Sequence, residues 1–66
     1  MDVKYPDITV QLAGVDGNAF SILGRAQQAL RRGDVPEGQV KEFMAEAISG
    51  DYDHLLATVI KWVDAK

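Results

Sequence analysis

Apolar and polar residues alternate over residues 7–13. Ile8, Val10 and Leu12 fall on one side, and Thr9 and Gln11 on the other. A period of two predicts a β-strand with one apolar and one polar face. Pro6 sits just before it, where a missing N–H is tolerated. Gly14 and the run Asp16-Gly17-Asn18 then signal a turn. From there the period changes. Ala19, Ile22, Leu23, Ala26 and Leu30 form one helical stripe with Phe20 at its edge, predicting a helix over about 18–32. Asp16 or Asn18 can cap its start, Arg31 and Arg32 suit the dipole of its last turn, and Gly33 supplies a stop. Gly24 interrupts this helix at a cost of roughly 1 kcal/mol against alanine. Close packing against another backbone would explain it, as would a ligand approaching there.

A second helix is predicted over 36–49. Pro36 suits a first helical position with Asp34 just upstream, and Val40, Phe43, Met44, Ala47 and Ile48 follow the i, i+3, i+4, i+7, i+8 pattern up to Gly50. Over 52–64, Leu56, Val59, Ile60 and Val63 make a third stripe flanked by Leu55 and Trp62, with Asp51 or Asp53 as the cap. Residues 57–63 are also rich in strand formers, so this stretch reads either way; its length favours a helix. The expected fold is a single α+β domain over residues 1–66, one N-terminal strand followed by three helices. A lone strand has no partner in its own chain, and its unpaired edge invites another chain. The simplest closed solution is a homo-oligomer, a dimer or higher, in which Ile8, Val10 and Leu12 lie at the interface.

Size points the same way. The chain has 66 residues, with 47% hydrophobic and 26% charged residues. A domain this short buries only about 60% of the surface its unfolded form exposes and usually needs disulfides, a metal or self-association. There is no cysteine and one histidine, which leaves self-association. No apolar run reaches membrane-spanning length and no apolar leader is visible, so a cytoplasmic protein without membrane contact is expected. The net charge of −3 disfavours a general nucleic-acid binder without excluding a local basic patch.

No catalytic constellation stands out, no cofactor motif is present and no enzyme is expected. Asp51, Asp53 and His54 invite a metal reading, but a helix start with capping acids accounts for them without a fourth ligand. Ser21 and Ser49 have no base beside them in the sequence. Val15-Asp16-Gly17-Asn18 resembles a fragment of a calcium loop, yet the distal glutamate is missing. Gly17 and Asn18 do precede a helix N-terminus, where free N–H groups can hold an anion. Arg25 and Arg32 are seven residues apart and share a helix face, with Arg31 beside them. Arginine forks suit phosphate, and Tyr5, Tyr52 and Trp62 offer rings on which a base could stack. Ligand-binding candidates are therefore Arg25, Arg31, Arg32, Gly17, Asn18, Tyr5 and Trp62.

The segments Lys4-Tyr5-Pro6-Asp7-Ile8-Thr9-Val10-Gln11-Leu12, Asp16-Gly17-Asn18-Ala19-Phe20, Ile22-Leu23-Gly24, Ser49-Gly50-Asp51-Tyr52-Asp53-His54-Leu55-Leu56 and Lys61-Trp62-Val63 together resemble a small family scattered through bacterial and phage genomes. The resemblance spans nearly the whole chain. It implies a phage-associated protein acting against host defence in the host cytoplasm. One form would sequester a small cyclic nucleotide signal between subunits. Another would block a host defence protein through an acidic surface of Glu42, Glu46, Asp51 and Asp53. The strand–helix–turn–helix order is also similar to the ribbon-helix-helix repressors, whose paired strands read the DNA major groove. In that reading Thr9 and Gln11 would face DNA, with Lys4 nearby.

Overall fold

The computed structural model describes residues 3–12 and 17–66. Its elements are β1 (Tyr5–Val10), α1 (Ala19–Arg32), α2 (Glu37–Ala47), α3 (Tyr52–Trp62) and β2 (Val63–Ala65). The class is α+β, with one N-terminal strand, three helices and a short second strand. The expected strand residue Ala13, the turn residue Gly14 and the alternative cap Asp16 lie outside the described residues.

The strand has a partner within its own chain. α3 ends at Trp62, and the chain continues into β2, which pairs in parallel with β1. Val63 and Asp64, expected within the third helix, belong to this strand. Tyr5 faces Val63, Thr9 faces Asp64 and Val10 faces Ala65, with an irregular stretch between Tyr5 and Thr9. Pro6, which has no N–H to give a ladder, falls within that stretch. Backbone bonds from Leu12 N to Lys66 O (2.6 Å) and from Lys66 N to Val10 O (2.9 Å) prolong the pairing. The premise that the strand must seek another copy therefore falls.

The predicted caps hold with small shifts. The Asn18 side chain accepts from Phe20 N at 2.8 Å, and Asp51 accepts from His54 N at 2.9 Å. Pro36 is the cap of α2 rather than its first residue, and it offers no side-chain bond. α2 ends at Ala47 and α3 at Trp62, short of the expected 49 and 64. α1 stops differently from expectation. Asp34, not Gly33, takes the left-handed conformation (φ 62°), while Gly33 has φ −82°. Asp34 N bonds Arg31 O (3.1 Å) and Val35 N bonds Leu30 O (3.1 Å). These are the two bonds of a Schellman motif, and Val35 and Leu30 are both buried, as its apolar contact requires. Gly33 matters for a different reason: a Cβ there would lie 2.7 Å from Ile8 Cδ1.

Leu30, Val40, Phe43, Val59 and Val63 are fully buried where the three helices meet the sheet. Trp62 joins them, edge-on to Phe43 at 5.5 Å between ring centres. The third stripe is rotated from the expected one. Leu55, Thr58, Val59 and Trp62 point inward, whereas Ile60 is exposed. Thr58 tolerates burial because its hydroxyl donates to His54 O at 2.8 Å. Ile48, expected on the apolar stripe of the second helix, is also exposed, and so is Phe20.

Candidate functional site

Helix geometry separates the three arginines of α1. Arg31 reaches across to the start of α2, where Nε and Nη2 donate to the Glu37 carboxylate at 3.1 and 2.9 Å. That pairing raises the Arg31 pKa and lowers that of Glu37. Arg31 is thus occupied in joining two helices. Arg25 and Arg32 lie on the face of α1 that looks toward β1. Among the described residues, the ion pairs are Arg31–Glu37, Lys61–Glu46 and Lys66–Asp64, so neither Arg25 nor Arg32 has a carboxylate partner.

These two arginines border a groove of about 210 Å³ where α1 meets the strand. Its lining includes Thr9, Gln11 and Gln28, with Val10 and Ala29 as the apolar residues. Val10 is fixed by the core below, so its exposed neighbours Thr9 and Gln11 are held outward by the strand's alternation. The groove offers two guanidiniums, a hydroxyl and amides. A second hollow continues on the other side of Arg32 and brings in Asp7. The seven-residue spacing exposed the shared face of Arg25 and Arg32. It could not reveal that Thr9 and Gln11 face the same groove, because that depends on the strand packing beside α1.

The remaining sequence candidates are elsewhere. Trp62 is 2% exposed, so its ring faces are closed to a ligand. Tyr5 packs beside it with ring centres 6.0 Å apart, and Lys4 Nζ sits 4.1 Å from the indole centre. Gly17 and Asn18 lie at the start of α1, where the Gly17 carbonyl accepts from Tyr52 OH and the Asn18 side chain is engaged as the cap. Val10 is core, and Ile8 and Leu12 are half-buried against that core. All three apolar strand residues therefore pack within the chain.

One contact escaped the sequence. The turn after α2 brings Ser49 Oγ to 3.1 Å from His54 Nε2. Both atoms also reach the Glu46 carbonyl, Ser49 Oγ at 2.7 Å and His54 Nε2 at 2.8 Å. A carbonyl can only accept, so Nε2 carries the proton and cannot take one from Ser49. The pair finishes a helix terminus and is not arranged as base and nucleophile. Gly50 makes room for it, since a Cβ there would lie 2.8 Å from the imidazole. Among the described residues, no three His, Asp or Glu side chains gather to hold a metal ion. No described helix is long and apolar enough to cross a membrane.

Of the four acids, Glu42, Asp51 and Asp53 are exposed and Glu46 is half-buried. Glu46 is 2.6 Å from Lys61 Nζ, Asp51 caps α3 and Glu42 accepts from Gln39 at 3.1 Å.

Compared with known protein families, curated proteins and solved structures, the chain matches none.

Proposed function

We propose that this chain is a non-enzymatic binding module that holds a small phosphate-bearing ligand of the nucleotide class between β1 and α1. The pair Arg25 and Arg32 carries this reading: two guanidiniums without ion-pair partners among the described residues, beside one polar groove. Guanidinium forks match phosphate geometry, and the Thr9 hydroxyl and the Gln28 amide suit the edges of a base or sugar. The resemblance to small phage-borne proteins gives the binding a purpose, sequestration of a cyclic nucleotide signal of host defence. This site lies within one chain and needs no pocket shared between subunits. Blocking a defence protein through an acidic surface draws less support, because Glu46 and Asp51 already have partners. A ribbon-helix-helix regulator would need β1 paired antiparallel with its copy, whereas one edge of β1 here carries a parallel partner.

Thermal melting in low salt with cyclic dinucleotides, cyclic ADP-ribose isomers and inorganic phosphate tests the reading. A ligand at hundredfold excess over Kd adds about 2.7 kcal/mol. In a chain of this length that raises Tm by roughly 10 °C or more. The expected result is such a rise with a cyclic nucleotide, abolished in the Arg25→Ala/Arg32→Ala double variant and kept in Arg31→Ala. An equal rise with inorganic phosphate would reduce the site to a plain anion hole. No rise with any probe at about 1 mM overturns the proposal.

A further inference from the structure

A second groove, of about 240 Å³, lies where the first half of α1 meets the junction of α2 and α3. It is apolar, with Ala19, Leu23, Ala47 and Leu55 among its lining and Ile48 and Tyr52 at its rim. Phe20 stands beside it 84% exposed, and Ile48 is 65% exposed. Together with Tyr52 they leave on the order of 400 Å² of large side chains in water on one face. Apolar area of that size gathered on one face is a surface on which a second chain could dock.

Gly24 adds an independent observation. It follows Phe20 by four residues and shares its side of α1. A Cβ at Gly24 would meet nothing within 4 Å. Among the described residues no close packing accounts for this glycine, although it weakens the helix. Its bare backbone leaves room for a group that approaches from outside.

We propose that this face is a homodimer interface in which α1 packs antiparallel on α1 of a second copy. Phe20 of each copy lies over Gly24 of the other. In an antiparallel helix pair, a twofold axis at the level of residue 22 exchanges positions 20 and 24. A projecting ring and a bare backbone four residues apart are therefore their own complement, as an isologous contact requires. An unrelated partner would have to supply both features, whereas a second copy already carries them. Ile48 and Tyr52 flank the seam. A specific interface needs roughly 1,000 Å² in total, about 500 Å² per copy, so the polar residues around the apolar patch must contribute as well. The small core of a 66-residue chain gives the association its thermodynamic motive. The interface uses neither Arg25 nor Arg32, so it stands or falls apart from the ligand reading.

Sedimentation equilibrium over about 1–100 µM is the test. A dimer is expected, with its dissociation constant raised at least tenfold by Phe20→Glu. Gly24→Gln has the same effect on association while helix content by circular dichroism holds or rises. If Phe20→Glu fails to fold, Gly24→Gln decides alone, since that site faces open space. A chain that is monomeric throughout overturns the proposal, and so does a dimer that Gly24→Gln leaves intact.

Discussion

Asp34 holds a left-handed backbone at the end of α1, with φ at 62°. Its Cβ makes that conformation costly, by roughly 1–2 kcal/mol for an ordinary residue and less for aspartate, whose side chain bonds locally. Glycine carries no such penalty, and Asp34 is exposed with no ion pair among the described residues. Asp34→Gly should therefore stabilise the chain by up to about 1 kcal/mol, which raises Tm by roughly 4–8 °C. Differential scanning calorimetry measures it, and an unchanged or lower Tm would refute the account. The sequence placed the stop one residue early because Gly33 is the obvious left-handed candidate. Gly33 is used instead to let Ile8 cross the helix end, a long-range contact with no local signature. Thr58 and Ile60 show the same limit. Hydropathy puts isoleucine inside and threonine outside, but a hydroxyl that bonds its own preceding turn is buried at little cost.

At the scale of elements, the α2–α3 junction is held by side chains reaching backward. His54 and Ser49 both donate to Glu46 O, close to the last turn of α2. His54→Ala should cost about 1 kcal/mol by urea unfolding, the usual worth of one hydrogen bond. The ion pair between Glu46 and Lys61 ties the same two helices. Lys61, chiefly through its hydrogen bond, holds the Glu46 carboxyl below its ordinary value of 4.5. A depressed folded pKa means that the unfolded chain binds the proton first. The contribution is present above pH 4.5 and is lost as pH falls through the lower folded value. Acid titration of stability should show a shallower decline in Glu46→Gln over that window, and added salt should shrink the difference. The three helices were legible from the sequence because Asn18, Asp51 and the spaced apolar residues are local signals. β2 was not, since Val63-Asp64-Ala65 is too short to show a period and has meaning only opposite β1. Likewise the groove was half legible: Arg25 and Arg32 share a face by spacing alone, but the strand that completes it does not declare its position.

For the whole molecule, Trp62 is the place where helices and sheet meet. It touches Phe43 and Tyr5 and directly precedes the fully buried Val63. Trp62→Ala removes contacts worth about 3–5 kcal/mol. That is comparable to the whole stability of a domain this small, on the order of 3–5 kcal/mol. The variant should lose its cooperative melt by far-UV circular dichroism at 25 °C, and a sharp transition retained there would show that the core does not depend on Trp62. As the one tryptophan in the sequence, it also reports wild-type unfolding without a label.

The pairing of β1 with β2 also sets an order of events during synthesis. Val10 and Val63 are 53 positions apart in the sequence. At translation rates of 5–20 residues per second, β1 leaves the decoding centre roughly 3–10 s before its partner strand is made. β1 is thus made before its partner strand and is among the last elements to be secured. Once clear of the ribosome and until β2 is in place, Ile8, Val10 and Leu12 are available to other nascent chains, so yield should be sensitive to expression rate and to chaperones that shield short β-prone segments.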